Sequence, residues 1–364
     1  MKCLMRFWAI HKIKLTDRYW TSMKNETAKN IDLIKRIHLK LFILFLILVA
    51  LFFTALCVGR YGISLPEVFR ALIADDSLDP LVKNVVTQVR LPRILMSMIV
   101  GAGLACSGAS YQCIFGNPLV SPDILGVSAG AGFGAALGIL ISGNSVLVQG
   151  QALFFGLLAV AIVLVISRVN KKTELFMLVL SGVIVGAFFE ALISLIKYVA
   201  DPQDTLPAIT VWLMGSLASV SYSKVLIAAC TILPCTIILM TLRWKMNLLS
   251  LDEEEAISMG VNVELLRIII IVVSTLMTAV SVSLCGIIGW IGLVIPHIGR
   301  FIVGDDHRGL IPACVIVGAG YLLIIDSIAR SLTAAELPLS ILTAMIGAPF
   351  FGFMLRKTLG SSAK

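Results

Sequence analysis

Apolar runs of about twenty residues follow one another along almost the whole chain. That is the length an α-helix needs to cross a hydrocarbon core of about 30 Å. A backbone in lipid must satisfy its own hydrogen bonds, so such runs fold as helices. Taken in order they predict ten spans, at about 38–58, 93–115, 122–142, 149–167, 174–197, 223–242, 266–285, 287–303, 310–330 and 338–355. The weakest break is 285–290, where the apolar run barely pauses. Composition agrees: 59% of residues are apolar and 14% charged, where a soluble domain carries about a quarter charged residues to cover its surface. The expected fold is all-α and polytopic, with the lipid bilayer as solvent.

The formal net charge of +8 is topological and does not point to nucleic acid. Basic residues sit in every second connector: Lys35, Arg36 and Lys40; Arg168, Lys171 and Lys172; Arg243, Lys245 and Arg267; Arg300 and Arg308; then Arg356, Lys357 and Lys364. Connectors 142–149 and 331–338 contain no lysine or arginine. Basic loops stay on the cytoplasmic side, which places both termini there. The layout expected is a polar extension over 1–37, a membrane domain over 38–358 with a cytoplasmic segment at about 243–266, and a tail at 359–364. Met23 offers a second start, which would make residues 1–22 an upstream extension.

The eight cysteines form no CxxC pair and the histidines no HxxxH spacing, so neither a zinc site nor a disulfide framework is indicated. Neither a metal nor a cofactor is expected. No GxxxxGK[ST] run is present to cradle nucleotide phosphates, so ATP-driven work would need a separate ATPase.

Gly126, Gly130, Gly134 and Gly138 recur every fourth residue and predict one bare stripe on the third span. Small residues at this spacing let helix backbones approach. Gly101, Ala105 and Ala109 repeat the device in the second span. Ser121, Pro122 and Asp123 form a plausible cap and first turn for the third.

Some charges are not explained by topology. Arg90 and Arg93 precede the second span and Arg330 ends the ninth, all on the outer side. Position alone leaves two readings open: the arginines snorkel to lipid phosphates, or they form a positive surface for an acidic partner. Asp326 lies four residues before Arg330 and can pair with it on one helix face. Glu190 lies in the outer half of the fifth span, where an ionisable residue is a functional candidate. His297 stands alone and suits a hydrogen-bonded packing role.

The 243–266 segment is too polar for lipid. Ser250 and Glu253 have capping-box spacing, and Asp252, Glu253, Glu254 and Glu255 favour a helix N-terminus. That helix runs through Ala256 and Met259 to Gly260, a left-handed stop, and Asn262 can cap a second short helix.

These residues carry a resemblance. Arg90-Leu91-Pro92-Arg93, Gly116-Asn117-Pro118-Leu119, Leu125-Gly126-Val127-Ser128 and Trp212-Leu213-Met214-Gly215 come first. Then follow Glu255-Ala256-Ile257-Ser258-Met259-Gly260-Val261, Gly289-Trp290-Ile291-Gly292 into Pro296-His297, Asp306-His307-Arg308, Glu336-Leu337-Pro338 and Gly347-Ala348-Pro349. In this order, over about 40–360, the chain resembles the FecCD-type, BtuC-like permeases, membrane subunits of ABC importers for iron-siderophores, haem and vitamin B12.

The resemblance implies a transport subunit and not an enzyme, set in a bacterial or archaeal cytoplasmic membrane. It implies a second permease subunit, two ATPase subunits and an extracytoplasmic binding protein carrying an iron chelate or cobalamin. Arg90, Arg93 and Arg330 would dock that binding protein, while Glu253, Glu254, Glu255, Ala256, Met259, Gly260 and Val261 would couple to the ATPase. Leu175 and Phe176 stand at the cytoplasmic gate, where the family often has small polar residues. The alternative is a secondary transporter using Glu190 and Asp326. An intramembrane enzyme would need paired carboxylates, a metal cluster or an activated nucleophile, and none is visible.

Overall fold

The computed structural model describes residues 34–362 apart from 74, 76, 170, 171, 252, 334 and 335. Most of the expected 1–37 extension therefore lies outside the described residues. Contacts divide the chain into Met1–Ile43 and Leu44–Lys364, and the packed body described here is the second.

Helix α1 is Ile34–Cys57. Two small helices follow, α2 (Leu65–Leu72) and α3 (Pro80–Asn84), and α3 runs through a turn of wider π geometry at Val85–Arg90 straight into α4 (Leu91–Phe115). Next come α5 (Val127–Ile141), α6 (Ser145–Ile166), α7 (Leu175–Val199), the short α8 (Thr205–Leu213) and α9 (Tyr222–Met246). The small α10 (Glu253–Ser258) precedes α11 (Val263–Cys285), α12 (Ile291–Val303), α13 (His307–Leu332) and α14 (Leu339–Ser362). Strands β1 (Arg168–Val169) and β2 (Lys172–Thr173) pair as a tiny hairpin between α6 and α7.

The ten expected apolar helices are present, but they are unequal. Seven are long and apolar enough to cross a membrane, whereas α5, α12 and the apolar part of α14 are shorter. At 1.5 Å per residue, α12 rises only about 20 Å. The break at 285–290 is real: Gly286 takes φ +72° and Trp290 φ +70°, so the backbone turns twice before α12. Most of the expected tail at 359–364 belongs to α14, which continues to Ser362.

Helix α4 is the central column, buried along most of its length and packed against α13, α11, α12 and α9. Two devices hold it there. Its backbone touches that of α12, since a Cβ at Gly108 would lie 1.9 Å from the carbonyl oxygen of Gly292. Hydroxyls also bridge it to α11: Ser107 Oγ is 3.0 Å from Thr278 Oγ1, and Tyr111 Oη is 2.7 Å from Thr275 Oγ1. In lipid, where apolar contact gains little over lipid contact, close approach and interhelical hydrogen bonds hold helices together.

Three of the four stripe glycines bring two backbones together. A Cβ at Gly130 would lie 2.5 Å from Phe155 O, at Gly134 2.3 Å from Gln151 O, and at Gly138 2.9 Å from Val148 Cα, so α5 and α6 pack backbone to backbone. Gly126 is not on the stripe. It takes φ +76° ahead of α5, and its nearest neighbour would be the Gly186 nitrogen on α7. The cause is a tight turn at Pro122–Leu125, so Ser121 does not cap α5. Instead Ser128 Oγ donates to the Asp123 carboxylate.

The turn after α8 is stitched to its neighbours. Ser216 N–H donates to Cys285 O at 2.8 Å, while Leu339 and Ser340 N–H donate to Gly215 O and Met214 O, each at 3.1 Å.

Candidate functional site

Arg90, Arg93 and Arg330 form a cluster, but not a surface. Arg90 is 4% exposed, Arg93 7% and Arg330 7%. Arg90 Nη1 donates to Leu56 O at 2.6 Å and to Cys57 O at 3.0 Å, and its Nη2 donates to Tyr61 O. Arg330 Nη2 donates to Ala55 O. Both cations therefore sit on the last carbonyls of α1, which lack helical partners and carry the negative end of its dipole. This corrects the expected outward-facing positive surface: in this conformation the arginines close the end of a helix.

Arg93 has acidic partners. Its Nη2 lies 2.8 Å from Asp326 Oδ1, and its Nη1 3.0 Å from Glu336 Oε1. The expected Asp326–Arg330 pairing on one helix face gives way to this long-range contact, in which Arg93 Nε also reaches both Asp326 oxygens at 2.9 and 3.0 Å. Asp326 is fully buried on α13. Glu336 is part-exposed on the loop before α14 and takes φ +48°, a conformation that a residue with a side chain rarely adopts. Sequence reasoning treated Glu336 only as part of a motif and missed it as a partner of Arg93.

At the other end of α4, Cys113 Sγ donates to Met246 O at 3.2 Å, where α9 leads into the 247–261 segment. Twenty residues of helix separate Arg93 from Cys113, roughly 30 Å. The arginine cluster and the 247–261 segment therefore lie at opposite ends of the packed body.

The segment expected to couple, 247–261, is one short helix and a turn. Helix α10 starts at Glu253, so Glu253 is its first residue, and Ser250 ends a preceding tight turn at Asn247–Ser250. The expected capping box is thus displaced, and Asp252 lies outside the described residues. Gly260 takes φ +80°, which stops the helix. Asn262 Oδ1 accepts from Leu265 N–H at 3.0 Å, but what it caps is α11 itself, which corrects the expected second short helix. Ala256 and Val261 are buried, and Ile257 and Met259 stand out at 55% and 63% exposure beside the acids Glu253, Glu254 and Glu255. An open cleft of about 420 Å³ lined by Glu253, Ile257, Gly260 and Glu264 flanks them. Ile257 was not singled out as a contact residue, although its place one position after Ala256 turns it away from the buried face of the helix.

Of the remaining candidates, Leu175 and Phe176 open α7, with Phe176 projecting. Glu190 is exposed farther along the same helix. His297 packs as expected, its Nε2 2.9 Å from Pro118 O and its ring against Phe351.

Residues 46–357 match the model of the FecCD transport family. The chain belongs to that family. It is 44% identical over 320 residues to the molybdate import system permease protein MolB of Haemophilus influenzae, covering 87% of this chain and 95% of that one. A probable iron chelatin transport system permease of Helicobacter pylori is 42% identical over 276 residues, covering 76% of this FecCD member and 83% of the relative. A solved structure described as an inward-facing conformation of a metal-chelate type ABC transporter superposes with a TM-score of 0.80 at 44% identity, covering 87% of this chain and 98% of that one. The FecCD member is a polytopic membrane transport component, not an enzyme, and hydrolysis of ATP belongs to other subunits.

Proposed function

We propose that the chain is the permease subunit of a binding-protein-dependent ABC importer. It would pair with a second permease subunit and two ATPase subunits in a bacterial or archaeal cytoplasmic membrane, both termini inside. The observation that carries this reading is the separation along α4: an acidic, apolar-tipped coupling helix at one end and an arginine–carboxylate cluster at the other. ATP-driven closure of the ATPases would shift α10 while a carrier sits at the outer end, and the helices between would alternate access.

Docking at this cluster takes a specific form here, since Arg90 and Arg330 are held on the α1 carbonyls and Arg93 carries the acidic partners. The exchangeable partner is Glu336, part-exposed on a loop, whereas Asp326 is buried in α13. An acid of the carrier would displace Glu336 from Arg93. Leu175 and Phe176 would form an apolar inner gate. A secondary transporter using Asp326 is not supported, because that carboxylate is committed to Arg93.

The cargo we infer is a metal-bearing anion. Molybdate comes first, because the MolB relative matches over 95% of its length. A ferric chelate comes second, on the Helicobacter relative. The test is ATP-dependent uptake into proteoliposomes holding the assembled complex and carrier, with radiolabelled molybdate and ferric chelate in parallel. Molybdate accumulation is expected. Ferric chelate uptake alone would move the cargo to the second class, and no ATPase association would sink the importer reading.

A further inference from the structure

The Asp306-His307-Arg308 turn has no part in the function above, yet it is where the root of the coupling segment is fastened. Asn247, the first residue after α9, reaches across to the turn between α12 and α13. Its Nδ2 donates to Asp306 Oδ1 at 2.7 Å. Its Oδ1 accepts from His307 N–H at 2.9 Å and from His307 Nδ1–H at 2.8 Å. The backbone N–H can only donate, which fixes the amide orientation and the histidine tautomer together. Asp306 Oδ1 also accepts Arg308 N–H at 2.9 Å, capping α13.

From this joint the contacts run on into the helix bundle. Arg300 on α12 lies 3.5 Å from Asp305, beside the joint, and its Nη1 donates to Gln112 Oε1 on α4 at 2.6 Å. Gln112 Nε2 in turn donates to Val120 O at 3.3 Å, in the loop that leads to α5. His297, also on α12, meets Pro118 O of the same loop. A displacement of the coupling segment therefore has a hydrogen-bonded route to α12, α13 and the inner loop at 117–121.

We propose that Asn247 is a positioning residue for transport, the joint through which movement of the coupling helix is passed to α12 and α13. This deepens the ABC reading and rests on α10 meeting an ATPase. The chemistry of the joint permits a discriminating swap. Asn247→Asp alone puts two carboxylates at hydrogen-bond distance and breaks the joint. Asn247→Asp with Asp306→Asn restores the bond across the joint with donor and acceptor exchanged. The carboxylate introduced at position 247 still accepts both His307 protons, and the amide nitrogen introduced at position 306 takes the place of Oδ1 facing it, which leaves the Arg308 N–H to solvent in the exposed first turn of α13.

The experiment uses the full chain assembled with its ATPase subunits in nanodiscs, with Cys57 and Cys230 replaced by serine and spin labels at two exposed sites, Ser258→Cys on α10 and Leu332→Cys at the far end of α13. MgATP is the probe, so no cargo is needed. In the otherwise unchanged protein both labels should respond to MgATP. In Asn247→Asp the Ser258 response and ATP hydrolysis should persist, while the Leu332 response falls by about fivefold or more. The double swap should recover it, and Asn247→Ala, which removes the bonds without adding charge, should resemble Asn247→Asp.

An undiminished Leu332 response in Asn247→Asp, or a loss the swap does not restore, would overturn the proposal. Silence of the Ser258 label in the unaltered complex would instead sink the coupling reading beneath it.

Discussion

Glu336, on a loop in a strained backbone conformation, holds the same guanidinium of Arg93 that buried Asp326 holds from α13, at 3.0 and 2.8 Å. The two carboxylates are not equivalent, because only Glu336 has access to solvent. Glu336→Gln should leave Arg93 anchored by Asp326 and free its outer edge. Carrier affinity for the complex in nanodiscs should rise several-fold at low salt and lose the gain at high salt, as screening predicts. Unchanged affinity at both ionic strengths would count against carboxylate exchange.

Asp326→Asn should behave differently. Asp326→Asn leaves the buried Nε and Nη2 edge of Arg93 without its charged partner, with only part-exposed Glu336 to offset the cation, and breaking a buried pair costs up to roughly 3–5 kcal/mol. The thermal midpoint of the purified protein in detergent should drop clearly for Asp326→Asn and little for Glu336→Gln, since Glu336 is part-exposed.

Gly134→Leu should separate α5 from α6. Its Cβ would lie 2.3 Å from the Gln151 carbonyl oxygen, against backbone that cannot step aside. Overpacking of this kind costs about 1–3 kcal/mol or more. Gly150→Leu is the control, since nothing lies within 4 Å of its Cβ position. Equal thermal midpoints for the two variants would refute the packing account.

Gly260→Val places a β-branched side chain at φ +80°, a strain of about 1–2 kcal/mol. The end of α10 should shift, and ATP hydrolysis should continue while uptake falls by about tenfold. Retained uptake would argue against coupling through this turn.

The outer helix α2 makes a pH prediction. Its Glu67 carboxylate accepts from Ser64 Oγ at 2.7 Å and Ser64 N–H at 2.8 Å. Those hydrogen bonds, the hydroxyl's first, hold its pKa below the ordinary 4.5. A depressed folded value means the cap contributes fully above about 4.5 and is lost only as pH falls through the lower value. Amide exchange protection across 65–72 should hold steady from about pH 7 to pH 5 and fall only below the ordinary glutamate value of 4.5. A loss already at about pH 5 would contradict the capping geometry.

The long spans were legible because length and apolarity alone set them. Helices α5 and α12 were misjudged in extent, because the bends at Gly126 and Trp290 depend on what they pack against. The Ser64–Glu67 capping box was there to be found in Ser-Leu-Pro-Glu, but a helix as short as α2 gives little periodicity. The Arg93–Asp326 pair was hidden for another reason. Its members are 233 residues apart, and a local i, i+4 rule naturally favours Arg330. Asn247 carried no signal, since an amide beside a tight turn reads as ordinary turn chemistry.

The stitching of the turn after α8 has a mechanical consequence. Backbone oxygens of Met214 and Gly215 hold the start of α14, and the amide of Ser216 holds the end of α11. None of these bonds depends on a side chain, so point mutation can loosen them only by bending the main chain. Whatever opens at that end must carry three segments together, a door hung on a shared frame.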